Sequence, residues 1–173
     1  MHYMTCNLFN ISHPKNFPIN INAVVEIPKG TNVKYEFNEN QGYFEYDRCL
    51  LSPMVYPSNY GFIPKTKAED GDPLDVLIYN GIPIDRGVVV NCRPLGYLSM
   101  IDNGFVDDKI LAIPQSHIRK YTSLDDIDNL FLQLCENFFN NYKRLSNHKH
   151  IDVETFGWKN KDKALKLIEK CTI

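Results

Sequence analysis

Short apolar runs broken by Gly, Pro and Asn fill the chain from residue 20 to about residue 114, and a helical spacing replaces them over the last third. The runs at 23–27, 33–37, 43–51, 74–79, 88–98 and 109–113 are rich in β-branched and aromatic residues and predict strands. Strands first and helices afterwards predict an α+β fold, and this number of short strands favours a small barrel or a curled sheet. Further on, Leu130, Leu134, Phe138 and Tyr142 recur every four residues, with Phe131 and Cys135 beside them and Asp125, Asp126 and Asp128 in front. That spacing predicts an amphipathic helix over 129–145 with one face on the sheet. A second helix is predicted over 161–170, capped by Asn160 and burying Ala164, Leu165 and Ile168 while its lysines face solvent.

Composition narrows the class. At 173 residues the chain suits a single domain that removes roughly two-thirds of its unfolded surface from water. Lys and Arg number 19 and Asp and Glu 21, for a net charge of -2, so the global balance recruits neither nucleic acid nor an anionic membrane. Any anion site has to be local. Cys6, Cys49, Cys92, Cys135 and Cys171 are odd in number and form no CxxC pair, which reads as reduced thiols. The first residues lack the apolar core of an export signal and nowhere do 18 apolar residues run together, so a soluble cytoplasmic protein is expected.

Candidate chemistry begins at Asp70-Gly71-Asp72-Pro73-Leu74-Asp75, where Gly and Pro tighten a turn that carries three carboxylates. Converging carboxylate oxygens hold hard cations, and a partly open cluster suits Mg²⁺ serving a phosphate substrate. A second acidic group, Asp102, Asp107 and Asp108, precedes the strand that starts at Lys109. If the two groups face each other, their repulsion requires divalent cations between them. Each turn alone reads more readily as a solvated Asp/Gly turn, and the pairing of the two weakens that reading. An EF-hand is excluded, since counting from Asp70 puts Asp75 where Gly is needed and Gly81 where Glu is needed.

Charged residues inside strand-like runs add to the picture: Glu26, Lys34, Glu36 and Arg48, with Lys34 and Glu36 on one face by alternation. They fit either a polar cavity or the wet face of an antiparallel sheet. Tyr56 and Tyr60 in a Pro/Gly-shaped segment, and Tyr142 with Lys143 at the end of the long helix, could donate to phosphate oxygens. His148 and His150 lack the further ligands a zinc site needs. Neither GxSxG nor GxxxxGK[ST] occurs. Two readings from other classes stay open at this point: a barrel that binds single-stranded nucleic acid through its aromatic residues, and a subunit that metal merely stabilises.

In order, VVEIPKGTNVKYEF, DRCL, YPSNYGFIP, DGDPLDVL, RPLGYLSMID, DKILAIP and FFNNYK resemble the family I soluble inorganic pyrophosphatases of bacterial type, from about residue 24 to about residue 158. The resemblance implies a single domain built on a five-stranded OB-like β-barrel with flanking helices, assembled as a homohexamer. It also implies Mg²⁺-dependent hydrolysis of diphosphate by direct attack of a metal-activated water, with several ions per site and Mn²⁺ or Zn²⁺ as possible substitutes. By the same resemblance Asp70, Asp75 and Asp107 hold a first ion, Asp75 also a second, and Asp102 with Asp107 a substrate-borne ion. Asp72 is the general base. Lys34, Arg48, Tyr60, Lys109, Tyr142 and Lys143 contact phosphate, with Arg48 and Tyr60 counted among the catalytic groups, while Glu26, Glu36 and Tyr56 support the cavity. The chain departs from the family pattern at Asn103, where Glu is usual, at Gly104 and Val106, and at Asn137 and Asn141, where some members carry histidines.

Overall fold

The structure, a computed structural model, describes residues 7–145 and 153–173. Its strands are β1 (Ile21–Ile27), β2 (Val33–Asn38), β3 (Tyr43–Cys49), β4 (Asn59–Phe62), β5 (Asp75–Ile78), β6 (Val89–Asp102), β7 (Phe105–Val106), β8 (Lys109–Pro114) and β9 (Val153–Asn160). Helix α1 (Asn129–Asn141) precedes β9, and α2 (Lys161–Cys171) ends the chain. The hydrogen-bonded path runs β1–β4–β5–β8–β6, and β6 pairs again with β1, while β7 and β9 pair with β6. β2 and β3 form a separate two-stranded ribbon.

Two apolar clusters explain why the central strands read as unbroken hydrophobic runs. Val76, Ile78, Ile110 and Ala112 pack with Ala164 and Ile168 of α2, whereas Leu77, Leu111 and Ile113 pack with Cys135, Phe138 and Phe139 of α1. β5 and β8 run parallel and are covered on both sides, so neither face could be polar.

The expected α+β order is present, with three additions. The segment that reads as a Pro/Gly loop contains β4, because Gly61 is there for backbone proximity and not for a turn: a Cβ at that position would stand 1.8 Å from the Val24 carbonyl oxygen. β6 continues beyond 98 to Asp102 and turns back into β7 through Asn103 and Gly104. Both have positive φ, 51° and 86°, as a tight type I′ hairpin requires. β9 pairs with β6 where no strand was expected.

The helices also differ in detail. α1 starts from an Asp128 cap and stops at Asn141, short of the expected 145. Leu130 and Leu134 are exposed, and the buried stripe is Cys135, Phe138 and Phe139. An i+4 row drifts about 40° per step on a helix of 3.6 residues per turn, so its first members rotate out to solvent while its last are buried. In α2 the Asn160 cap accepts the Lys163 N–H, and Ala164 and Ile168 are buried as expected. Leu165 is only half-buried, and Leu167 packs on the core instead. Cys92, Cys135 and Cys171 are buried free thiols, whereas Cys6, His148 and His150 lie outside the described residues.

Candidate active site

A cavity of about 260 Å³ lies between the β2–β3 ribbon and the acidic turns. Each group reaches it for a local reason. Asp70 and Asp72 sit in a turn made by Gly71 at φ 96°, with the Asp72 N–H donating to Asp70 Oδ1 at 3.0 Å and the Asp72 carbonyl accepting the Ala68 N–H at 2.7 Å. Asp75 opens β5, and the parallel register sets it opposite Lys109, the first residue of β8. Asp107 lies two residues before Lys109, its N–H bonded to the Met100 carbonyl at 3.0 Å. Asp102 ends β6, and Tyr142 caps α1 with Lys143 following it. Glu26 sits where the β1–β4 register slips by one residue between Val25 and Ile27, a bulge that turns its side chain. Its carboxylate accepts the Phe37 N–H at 2.8 Å.

Lining the cavity are Glu26, Lys34, Glu36, Tyr60, Asp70, Asp72, Asp75, Asp102, Asp107, Lys109, Tyr142 and Lys143, so the two acidic turns do meet. Lys109, only 2% exposed, pairs with both Asp75 and Asp107; Lys143 pairs with Asp102, and Lys34 with Glu36. Arg48 stands beside the cavity, opposite Lys34 in the ribbon register and half-exposed. Tyr56 is buried behind Tyr60 and Phe138, with ring centroids 5.4 and 4.8 Å away.

Asp108 does not join the second acidic group. It turns to the other side of the strand, accepting the Met100 N–H at 3.0 Å, because neighbours on an extended chain alternate. The sequence reading also missed four groups. Tyr35, Phe37 and Glu39 of the ribbon line the cavity, and Asp47 bridges Lys34 at 3.1 Å and Arg48 at 2.5 Å. Asp47 was legible in principle, since it sits beside Arg48 in a strand-like run. Glu39 lies at the ribbon tip, where nothing in the pattern distinguishes it from a solvated residue.

Burial and mutual repulsion set the protonation states. Burial, reinforced by the Asp75 charge, pushes Glu26 up to about 8. Asp72 is raised by burial and by the Asp70, Asp75 and Glu36 carboxylates. In the Asp107–Lys109 pair, burial raises Asp107 more than Lys109 lowers it. On Lys109, burial works against the charge, but Asp75 and Asp107 outweigh it and the ammonium stays protonated. Burial holds the Tyr56, Tyr60 and Tyr142 hydroxyls well above the usual phenol range, so they remain hydrogen-bond donors at any working pH.

A pH dependence follows from Glu26. An acid whose folded pKa exceeds its unfolded value near 4.3 binds more protons when folded between those two values, so its contribution to stability is full below pH about 4.3 and is lost as pH rises towards 8. Denaturation of the metal-free protein from pH 4.5 to 8.5 is expected to show this slope, at most about 1.4 kcal/mol per pH unit. Glu26→Gln makes it shallower, leaving the part due to Asp72 and Asp107; an identical slope in the variant would exclude Glu26 as a source.

Among the described residues, eight carboxylates (Glu26, Glu36, Glu39, Asp70, Asp72, Asp75, Asp102 and Asp107) face three ammonium groups (Lys34, Lys109 and Lys143), with no His or Cys in the lining. This oxygen-only, acid-rich donor set fits hard divalent cations and not thiolate- or imidazole-seeking metals. As the side chains stand, no three His, Cys, Asp or Glu among the described residues form a group able to hold an ion. Lysines occupy the carboxylates instead. Among the described residues no helix is long and apolar enough to cross a membrane.

Known proteins match this arrangement closely. The inorganic pyrophosphatase family profile matches residues 23–173. The inorganic pyrophosphatase of Campylobacter jejuni is 41% identical over 162 residues, covering 90% of this chain and 91% of its own, and that of Agrobacterium fabrum is 43% identical over 163 residues, covering 91% of each. The crystal structure of the Thermus thermophilus inorganic pyrophosphatase superposes with a TM-score of 0.90 at 34% identity, over 95% of this chain and 96% of its own. Because the match runs through every residue from Glu26 to Lys143 that builds the cavity, and spans nearly the full length of its relatives, the chain belongs to the inorganic pyrophosphatase family.

Proposed function

We propose that the protein hydrolyses inorganic diphosphate to two orthophosphates with Mg²⁺, by direct attack of water and without a phosphoenzyme. The observation that carries this reading is the meeting of Asp70, Asp72 and Asp75 with Asp102 and Asp107 in one cavity that also presents Lys34, Lys109 and Lys143. Family membership supports it. Asp70, Asp75, Asp102 and Asp107 are the residues that would hold Mg²⁺, with Mn²⁺ a substitute their all-oxygen set suits better than Zn²⁺. Bound there, such ions supply charge neutralisation and bring the pKa of water towards 7.

The remaining work falls to the chain. Asp72 forms no ion pair among the described residues of the cavity, so its carboxylate, raised by burial and by its acidic neighbours, is open to take the proton of the attacking water. Lys34, Arg48, Lys109 and Lys143 hold the two phosphoryl groups by charge, exchanging their carboxylate partners for phosphate oxygens. Neutral Tyr60 and Tyr142 donate to the oxygens that gain charge as the bridge breaks. Glu26 fixes the ribbon through Phe37, Glu36 orients Lys34, and Tyr56 backs Tyr60.

We read the five-strand path that returns to β1 as a closed OB-like barrel and the whole chain as one domain, working in the cytoplasm as a homohexamer. A nucleic-acid role fits poorly, because the cavity is acid-rich and the Tyr56, Tyr60, Phe138, Phe139 and Tyr142 rings are buried against one another and not presented as a stacking surface. The test is orthophosphate release from diphosphate with Mg²⁺ and with a chelator. Release that requires Mg²⁺ is expected; its absence from the folded protein sinks the proposal. A metal-stabilised subunit without activity would instead melt higher in Mg²⁺ and release nothing.

A further inference from the structure

The β2–β3 ribbon presents Lys34, Glu36, Asp47 and Arg48, yet among the described residues it shares no strand pairing with the main sheet and none of its strand residues is buried. Its angle to the rest of the protein is therefore set by side chains. Phe37 stacks on Phe62 of β4, with ring centroids 5.3 Å apart, and its N–H is held by Glu26. Phe44 packs beside Gly87, close enough that a Cβ there would stand in ordinary van der Waals contact with the ring at 3.6 Å. Beside these, the Arg86 guanidinium lies 3.3 Å from the centre of the Tyr35 ring and 6.0 Å from that of Phe44.

Arg86 sits on a firm base. The Gly87 N–H donates to the Val25 carbonyl at 2.8 Å, the Val88 carbonyl accepts the Val25 N–H at 3.0 Å, and the Ile84 N–H donates to buried Asn59 at 2.8 Å. The loop before β6 is thus clamped to β1 and β4, while the Tyr35 ring it covers lies between Lys34 and Glu36 in sequence and itself lines the cavity.

We infer that Arg86 is a positioning residue for the active site: its guanidinium, stacked on Tyr35, holds the β2–β3 ribbon at the angle from which Lys34 and Arg48 reach the substrate. Arg86 touches no substrate. When the stack is lost the ribbon stays attached through Phe37 but samples angles that carry its two cations off the phosphate, and apparent affinity falls in proportion to the competent fraction. Chemistry in the bound complex continues at its former rate. The kinetic part of this inference rests on the diphosphatase reading; the ribbon's docking does not.

Two measurements test it. In hydrogen exchange without substrate, Arg86→Ala is expected to speed exchange across residues 33–49 and leave β5 and β8 protected. In steady state it raises KM for Mg²⁺-diphosphate about threefold, the scale of an exposed cation–π contact, with kcat within about twofold and Tm unchanged. Tyr35→Leu reproduces the effect and does not add to it in the double variant, Tyr35→Phe keeps wild-type behaviour because the ring face remains, and Arg86→Lys recovers part of the affinity. Unchanged ribbon exchange in Arg86→Ala overturns the inference, as do additive Arg86 and Tyr35 effects. Absence of turnover in the wild type would defeat the functional reading alone, since exchange still decides the docking.

Discussion

Asp72→Asn is expected to lower kcat for diphosphate hydrolysis by about 10²–10⁴-fold, the usual contribution of a positioned general base, with little change in melting temperature. The amide keeps the volume and the turn: the bonds that hold residue 72 run through its own backbone, to Asp70 and Ala68, and not through its carboxylate. What the amide loses is the capacity to take a proton. Among the acidic side chains of this turn and its partner, Asp75, Asp102 and Asp107 pair with lysines, whereas Asp72 forms no ion pair among the described residues, and burial with three neighbouring carboxylates raises it. Single-turnover rates separate this loss from binding. A drop below tenfold would remove Asp72 from the role of base, even if the activity itself is established.

Lys109→Met should cost about 3–5 kcal/mol of stability in chelator, because it leaves two close carboxylates without the cation that now sits between them. For a chain of this size that is a fall in Tm of about 10 °C. Methionine keeps most of the length and the apolar stem, so packing is nearly preserved; what is lost is the ammonium, which lies 5.9 and 5.8 Å from the Tyr60 and Phe139 ring centres. The same variant makes a second, opposite prediction. With Lys109 gone, Asp75 and Asp107 face each other free of an ammonium, and Mg²⁺ should restore more Tm to the variant than it adds to the wild type, by binding the folded state preferentially. Equal Mg²⁺ shifts in both proteins would mean that these two carboxylates do not share an ion.

Both predictions depend on facts that differ in how far the chain itself announces them. The Asp-rich turns were visible because Gly71 and Pro73 punctuate a run of carboxylates, and Lys34 with Glu36 because strict alternation puts them on one face. β5 and β8 were visible as short apolar runs. β4 was hidden because its glycine looked like a turn signal, although it serves close approach to Val24. The buried face of α1 was misjudged at its start, since an i+4 row and the true 3.6-residue period part company within three steps. Asp108 was grouped with Asp107 by adjacency, whereas an extended backbone sends neighbours to opposite sides.

By itself, then, the sequence determined the order of strands and helices, the residue types available for holding cations and phosphate, and the reason they interrupt otherwise apolar runs; these follow from local conformational preference and side-chain chemistry, which act over a few residues. Only the tertiary structure decided which of them meet. The parallel register of β5 and β8 sets Asp75 against Lys109 across 34 positions of sequence, the end of α1 brings Lys143 to Asp102 across 41, and the loop before β6 carries Arg86 onto the ribbon. Such pairings arise from packing two cores against one sheet, and no local preference of the chain encodes them.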